Sequence, residues 1–600
     1  MTEHRTFSEL IRFRAETHPK HDALILLPDD DSTGRPSTVS YRALDAAART
    51  LSGWLIERGA TGERVLLVHR DARQFTVSFL ACLYAGAVAV PMPAGGGSGG
   101  RARLVGALKD AAPCAVFTDA RLAPELSRLL ADQGCGATPC LAADAVHSRS
   151  DHTPLDVPDD APAYLQYTSG STAAPRGAVI THAALRAHHE AISRALGTRE
   201  GDRIGGWLPL HHDLGLVGQL LHPLWLGGTS LLMSPEAFVR RPARWLEAIG
   251  RYDIQVSAAP DAAYDLCVRR ISDEQLAELD LSGWRTAVSG GEPVRARTVR
   301  AFCERFAPAG FAASAFTPGY GLAEATLLVT ADASGEAAGR ELWADSAGLE
   351  QGRLSLAAPD RPARPLLSSG PVATDPDRDI RIVSPDTLRT LPDGEVGEVW
   401  VRGASLAEGY WRNRALTAQV FGARTAEGEG GFLRTGDLGT VHEGRLYVTG
   451  RLKDVIIVAG RNLYPQDLEQ SVQQLSSSLG AASTFAVPGT TACGGDGAPG
   501  DEHVVVVQEL RTPYRHGLDL PALADDIRRR LAEEFELAVD GVLLVRPGTV
   551  RRTTSGKVSR SAMRDLFLSG AIQPLHERLA DSLPTPTERP PVAAGATTVP

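Results

Sequence analysis

The feature that most constrains the fold is an alternation of short apolar runs, rich in β-forming residues, with stretches of helical pattern up to about residue 450. The runs "ERVLLVH" (63–69) and "GAVAVPM" (86–92), for example, flank the helix-like "FTVSFLACLYA" (75–85). Strands that alternate with helices favour layered α/β structures with a mainly parallel sheet, because each helix returns the chain for the next parallel strand. We therefore expect an α/β fold whose large N-terminal domain covers 1–452.

A different pattern follows this region. The strand-like "KDVIIVAG" (453–460) and "DEHVVVVQEL" (501–510) alternate with the helix-like "PQDLEQSVQQL" (465–475) and the amphipathic "LPALADDIRRRLAEEFEL" (520–537). These elements predict a small α+β domain over 453–578. The Pro-, Ala- and Thr-rich residues 579–600 are expected to be a disordered tail.

The charge balance argues against some classes of partner. The 600 residues carry a net charge of -10, and the isoelectric point is near 5.9. Nucleic acids and anionic lipids require a concentrated positive field, so broad electrostatic binding to either is not expected.

The cysteines and the apolar stretches indicate the cellular compartment in which the protein is expected. The seven cysteines form no CxxC pair, and their odd number is a poor disulfide framework. The N-terminal residues 1–20 are charged throughout, and prolines interrupt both long uncharged stretches (74–100 and 214–235). We expect a cytoplasmic protein with reduced thiols and no membrane span.

One glycine-rich run imitates a dinucleotide-binding motif. "GGGSGG" (95–100) satisfies G-x-G-x-x-G between a strand-like run and a helix-like run, with Asp119 about where a ribose-binding acid would fall. The run is nearly pure glycine, and prolines separate it from the strand, so a flexible surface loop is the preferred interpretation. A nicotinamide oxidoreductase stays a minor alternative.

A second polar segment points to phosphate. "YLQYTSGSTAAPRGAVITH" (164–182) places four hydroxyl side chains around Gly170 and follows them with Arg176. It lacks the P-loop spacing, but the amides of a glycine turn and hydroxyl donors can bind a polyphosphate while a cation neutralises its charge. An ordinary Ser/Thr-rich loop is the alternative for this segment taken alone.

Six further blocks follow in order. They are "WLPLHHDLGLVG" (207–218), "SGGEPV" (289–294), "TPGYGLAEATLL" (317–328), "LRTGDLG" (433–439), "GRLKDVIIVAGRNLYPQDLE" (450–469) and "RRTTSGKVSR" (551–560). Together with the first segment, these blocks resemble the adenylate-forming superfamily over about residues 7–577. The "PLHHDLGL", "GYGLAEATLL" and "GRNLYPQDLE" segments, with residues 233–271, are most similar to the fatty acyl-AMP ligases.

The resemblance implies ATP and Mg²⁺ as cofactors and assigns roles around them. The β- and γ-phosphates would be bound by Thr168, Ser169, Gly170, Ser171, Thr172 and Arg176. Arg176 stands where the family usually has lysine, which keeps the charge but changes its shape. Glu324 would hold Mg²⁺, a hard cation that prefers oxygen ligands.

The resemblance also assigns the nucleoside contacts. Tyr320 would stack on adenine, and a carboxylate and a guanidinium, Asp437 and Arg451, would bind the ribose hydroxyls. The purine slot would be lined by Gly290, Gly291 and Glu292, and Gly321 would also bind the nucleotide.

The reacting groups follow from the same resemblance. His212 would form the floor of the carboxylate pocket, and Lys557 would stabilise the attacked α-phosphate and the forming acyl phosphate. Lys453 matches the hinge about which the small domain rotates between half-reactions. Asp213 could instead anchor an amino-acid ammonium, but the fatty acyl ligases share this block and take substrates without an amine.

Members of the superfamily differ in the molecule that accepts the acyl group. Residues 341–368 are longer than a simple connection requires. The resemblance makes them the candidate for the extra segment by which fatty acyl-AMP ligases restrain rotation and favour a carrier-protein thiol, and an ordinary surface excursion is the alternative. No carrier domain is evident, so we expect a separate holo acyl carrier protein as partner, beside the fatty acid. The alternatives are an acyl-CoA synthetase that uses coenzyme A and, more weakly, a non-catalytic ATP- or lipid-binding sensor.

Overall fold

The structure is a computed structural model of the chain. It describes residues 6–29, 35–95, 97–146, 153–167, 176–333, 341–359, 361–373, 375–488, 502–511, 518–552, 557–581 and 583. The predicted phosphate-binding residues 168–172 and most of the predicted tail lie outside these ranges. No helix of the described residues is both long and apolar enough to cross a membrane.

Two mainly parallel sheets form the centre of the large region. The eight-stranded sheet has the order Leu328–Ala331, Phe316–Gly321, Thr286–Ser289, Val256–Ala259, Arg203–Gly206, Thr229–Leu232, Asp22–Leu26 and Ser37–Ser40. The six-stranded sheet has the order Cys140–Ala142, Ala115–Thr118, Arg64–Val68, Val88–Met92, Pro162–Tyr167 and Gly177–Thr181. Antiparallel pairs occur only at the edges of these two sheets, so the sequence pattern is confirmed here.

Helices cover these sheets. Helix Ala72–Tyr84 contacts strands of both sheets and is buried along nearly its whole length, which explains its almost entirely apolar sequence. Asp71 caps its first turn by accepting a hydrogen bond from Gln74 N at 3.0 Å. The other helices of the large region are Phe7–Thr17, Tyr41–Ile56, Gly97–Ala111, Ala123–Asp132, His182–Leu196, His222–Trp225, Pro235–Arg240, Ala243–Arg251, Asp261–Arg270, Asp273–Ala277, Ala296–Phe306, Ser346–Glu350 and Arg414–Val420.

The expectation of a mainly parallel sheet is wrong after residue 370. A four-stranded sheet in this part is wholly antiparallel, with the order Arg378–Val383, Gly397–Gly403, Leu433–His442 and Arg445–Arg451. A tight turn, in which Gly444 has φ +71°, joins the last two strands, so no helical crossover is needed. The segment 341–368 forms its own hairpin from Glu341–Asp345 and Ala363–Leu367.

The C-terminal part has the predicted α+β composition. A hairpin of Ile456–Val458 and Arg461–Leu463 precedes a sheet ordered Leu479–Pro488, Glu502–Leu510, Gly541–Val545 and His576–Leu579. Its helices are Pro465–Gln474, Leu520–Phe535 and Arg560–Leu568. Helix Leu520–Phe535 buries Ala524, Ile527 and Leu531 at helical spacing, in a core with the strand valines.

The glycine-rich run is not the surface loop that its composition predicts. Its residues from Gly97 onward form the first turn of helix Gly97–Ala111. The dinucleotide interpretation requires Asp119 to bind a ribose. The Asp119 carboxylate instead accepts hydrogen bonds from His69 Nδ1 at 2.8 Å and Arg70 N at 2.6 Å. Asp119 therefore joins two strand ends and is not open to a ribose.

Candidate active site

One cavity brings the predicted site residues together. It has a volume of about 1410 Å³ and lies beyond the carboxyl ends of strands Val256–Ala259, Thr286–Ser289 and Phe316–Gly321, where ligands bind in parallel sheets. Every predicted site residue within the described ranges lines it: Arg176, His212, Gly290, Gly291, Glu292, Tyr320, Gly321, Glu324, Asp437, Arg451, Lys453 and Lys557. Residues separated by almost 400 positions therefore share one space.

The backbone geometry explains why the predicted nucleotide-binding positions 290, 291 and 321 are glycines. A Cβ on Gly290 would lie 3.0 Å from Gly319 O, and a Cβ on Gly321 would lie 1.8 Å from Leu327 O. Gly291 has φ +81°. The carboxylate of Glu292 accepts a hydrogen bond from Ala262 N at 2.7 Å, so it also fixes the start of a helix beside the slot.

The predicted nucleoside-binding side chains are in direct contact. Asp437 is opposite Arg451 in neighbouring antiparallel strands, and its Oδ1 lies 3.1 Å from Arg451 Nε. The Tyr320 hydroxyl donates to Asp437 Oδ2 at 2.9 Å. The charge of Asp437 raises the pKa of Arg451, and burial raises the pKa of Tyr320. Asp437 thus lies between a guanidinium and a phenol that both contact its carboxyl group.

Glu324 is held by an unusual backbone. It lies in the short 3₁₀ turn Ala323–Ala325, which leads into a γ-turn at Thr326, with φ +68° and ψ -52°. The γ-turn is closed by a hydrogen bond from Leu327 N to Ala325 O at 2.8 Å. This strained conformation is fixed by the Thr326 hydroxyl, which donates to Ser405 O at 2.7 Å.

Tyr410 is a site residue that sequence reasoning missed. Its hydroxyl donates to Glu324 Oε1 at 2.8 Å. Burial raises the pKa of Tyr410, and the nearby Arg176 opposes this rise. Burial also raises the pKa of Glu324, while the Tyr410 hydrogen bond opposes that rise. A single tyrosine in "EGYW" carries no spacing that could have indicated this role.

The side chains of this site suit a Mg²⁺ ion that is bound partly by substrate better than a metal ion that is held by protein ligands alone. Within the described ranges there is no group of three or more His, Cys, Asp or Glu side chains that could hold a metal ion. Mg²⁺ typically takes one or two carboxylates and completes its octahedron with water and substrate phosphates. Glu324, which lines the cavity with one oxygen bound to Tyr410, is suited to such a site.

Lys557 enters the cavity from the C-terminal part. It lines the same space as His212 and Asp213, and the Asp213 charge acts on it. Burial and the nearby Arg451 lower the Lys557 pKa. Asp213 caps the π-helix Leu214–Leu221 through its contact with Leu214 N at 2.8 Å, and burial raises its pKa. Asp213 therefore has a structural use besides any contact with ligand.

Lys453 lies at the connection between the two parts of the chain. It belongs to the short turn Leu452–Asp454, which joins the last strand of the antiparallel sheet to the C-terminal hairpin. Sequence reasoning missed the cluster behind it, where Arg560 forms ion pairs with Asp454 at 3.2 Å and with Glu469 at 2.7 Å. Arg560, three residues after Lys557, thus links the lysine segment to this connection.

One part of the cavity lining is aliphatic and aromatic. Its apolar lining includes Ile192, Leu196, Ile204, Trp207, Leu214, Phe238, Val256, Leu266 and Val294. Such a lining stabilises a hydrocarbon chain by removing it from water.

Comparisons with known proteins agree with this geometry. A family model described as "AMP-binding enzyme" matches residues 11–411. The medium-chain-fatty-acid–[acyl-carrier-protein] ligase JamA of Moorena producens is 38% identical over 96% of this chain and 97% of that protein. Among solved structures, one from studies of fatty acyl-adenylate ligases from E. coli and L. pneumophila superposes with a TM-score of 0.85. It is 30% identical over 95% of this chain and 99% of the other.

A second solved structure is that of the fatty acyl-adenylate ligase from L. pneumophila in complex with acyl adenylate and pyrophosphate. It is 31% identical, has a TM-score of 0.72, and covers 96% of this chain and 98% of its own. The fold is therefore that of an adenylate-forming enzyme. The chain belongs to the AMP-binding enzyme family, and within it to the fatty acyl-AMP ligases, as its motifs indicated.

Proposed function

We propose that this protein activates a fatty acid with ATP and then transfers the acyl group to the phosphopantetheine thiol of a separate acyl carrier protein. The observation that carries the proposal is one cavity that combines an aliphatic wall, the Asp437–Arg451 pair, Glu324 and Lys557. JamA, named as a ligase of medium-chain fatty acids and acyl carrier protein, supports both the substrate class and the acceptor.

In the first step the fatty acid carboxylate attacks the α-phosphorus of ATP. The new O–P bond forms as the bond from this phosphorus to the oxygen bridging the α- and β-phosphates breaks, and pyrophosphate leaves. Mg²⁺ held by Glu324 would supply positive charge to the phosphates. Lys557 and Arg176 would neutralise the charges of the two anions, which repel each other. The site would also hold the carboxylate and the α-phosphorus in the geometry that the attack requires.

In the second step the carrier thiol attacks the acyl carbonyl carbon. The thiol loses its proton, a C–S bond forms, the C–O bond to the phosphate breaks, and AMP leaves. We propose that 1–452 and 453–578 move relative to each other about Lys453 between the steps. The cavity is lined from both of these parts, so such a rotation would change the groups that face the adenylate.

Contacts of the segment 341–368 support its assignment as a restraint on that rotation. Glu350 accepts hydrogen bonds from Arg461 Nε at 2.9 Å and Nη2 at 3.1 Å. Arg364 forms an ion pair with Asp467 at 3.0 Å and lies 4.8 Å from the centre of the Tyr464 ring. All three partners belong to the C-terminal part, so rotation would have to break these contacts.

The test is acyl-adenylate formation followed by a choice of acceptor. Hydroxylamine trapping and pyrophosphate exchange should detect acyl-AMP from carboxylic acids of graded length. With coenzyme A and a cognate holo carrier protein at equal concentration, the carrier should be acylated much faster. Failure to form acyl-AMP from any fatty acid would contradict the first step, and rapid acyl-CoA formation would contradict the second.

A further inference from the structure

The acyl part of the cavity has one helical wall that is not purely apolar. From the π-helix Leu214–Leu221 into the following helix, Gly215, Gly218, Gln219 and His222 line the cavity at helical spacing. The His222 ring has partners at both nitrogens, namely His189 Nδ1 at 3.2 Å and Thr198 Oγ1 at 2.9 Å. The side-chain amide of Gln219, by contrast, has a partner at only one of its two polar atoms among the described residues.

The amide of Gln219 is satisfied at its oxygen alone. Its Oε1 accepts a hydrogen bond from Leu208 N at 3.1 Å. This contact fixes the orientation of the amide, because the flipped group would set two donors against each other. The residue is 3% exposed, and within the described part of the chain Nε2 has no hydrogen-bond partner. Such a buried donor is costly unless a ligand or a water completes it.

Trp207 supplies a second donor of the same kind. It lines the cavity next to Leu208, and its ring stacks on Phe238 with centroids 3.9 Å apart. Its Nε1 also has no partner among the described residues, although the side chain is buried. Both residues line the same cavity, and a plain alkyl chain would offer neither buried N–H donor an acceptor.

We infer that the preferred acyl substrate carries an oxygen acceptor, a hydroxyl or a carbonyl, in the part of the chain that lies against Gln219 and Trp207. This inference rests on the proposed function and specifies its substrate class. An oxygen at the matching carbon accepts from the amide or the indole, whereas an oxygen elsewhere along the chain loses its water without compensation.

The wild-type enzyme provides the first test. Acyl-AMP formation is measured for a saturated straight-chain acid and for its hydroxy and keto derivatives, with the oxygen moved one carbon at a time. One position should raise kcat/KM about tenfold over the parent acid, the amount expected for a well-made buried hydrogen bond. If the parent is activated and no derivative exceeds it, the inference is overturned and the proposed function stands. If no acid is activated, both fall.

Variants then assign the effect to the donors. The readout is the ratio of kcat/KM for the best oxygenated acid to that for its parent, which does not depend on the folded fraction. Gln219→Leu should bring this ratio close to one, and Trp207→Phe, which keeps an aromatic ring on Phe238, should lower it. Ser230→Ala is the matched control, because the Ser230 hydroxyl donates to Gln219 O at 2.8 Å from outside the cavity lining. An unchanged ratio in both donor variants, or an equal fall in the control, would refute the inference.

Discussion

At the residue scale, the proposed role of Lys557 depends on a charge that its surroundings disfavour. Burial and Arg451 lower its pKa, so the proton is lost as the pH rises through a value below the usual one of about 10.4. Pyrophosphate exchange should therefore decline on the alkaline side before a free lysine would titrate. Lys557→Ala should reduce kcat about 100-fold or more, because the charge acts on the transition state. In Lys557→Arg the decline should move to higher pH, and an unmoved decline would assign it to another group.

Tyr410 provides a second prediction at this scale. Its hydrogen bond lowers the pKa of Glu324 against the effect of burial, so Tyr410→Phe should make the carboxyl protonate at higher pH. Since Mg²⁺ needs the ionised form, the Mg²⁺ concentration for half-maximal exchange should rise about threefold to tenfold, and more at acidic pH. Arg269→Met, which removes a half-exposed ion pair to Asp265, should leave the Mg²⁺ dependence unchanged.

Single residues also mark the limit of what the sequence predicts. Lys557, Asp437 and Glu324 could be named because each stands in a motif of several residues, and all three line one cavity. Tyr410 and Gln219 could not be named, because their importance comes from a hydrogen-bond partner, or the lack of one, that only packing creates. The roles themselves stay predictions until the kinetics are measured.

At the scale of elements, Arg560 joins three pieces of the C-terminal part. Its guanidinium binds both oxygens of the buried Glu469 on helix Pro465–Gln474 and also Asp454 at the connection. Arg560→Met would leave Glu469 buried without its cation, and should lower the free energy of unfolding by about 3 kcal/mol. Denaturant unfolding measures this loss. The double variant with Glu469→Gln should recover part of it, and no recovery would mean that the pair is not the cause.

Periodicity predicts elements better than it predicts their pairing. The pattern placed helix Ala72–Tyr84 and helix Leu520–Phe535 to within about three residues. It did not predict the antiparallel sheet over Arg378–Val383 to Arg445–Arg451, because strand direction depends on turn geometry and not on apolar content. It was also wrong on Gly97–Gly100, where the helix that follows extends over residues of low helix propensity.

At the scale of the whole molecule, we propose that contacts between the segment 341–368 and the C-terminal part influence the choice of acceptor. The sequence indicated an extra segment, but only the structure identifies Glu350 and Arg461 as a pair that crosses to that part. Glu350→Gln keeps the shape of the side chain and removes its charge, so the restraint should weaken by about 1 kcal/mol. The rate of acyl-CoA formation relative to carrier acylation should then rise about fivefold. The same comparison with Arg269→Met controls for the loss of an ordinary ion pair, which lies within a single helix. If the two variants give equal ratios, the Glu350 contact does not restrain the proposed rotation.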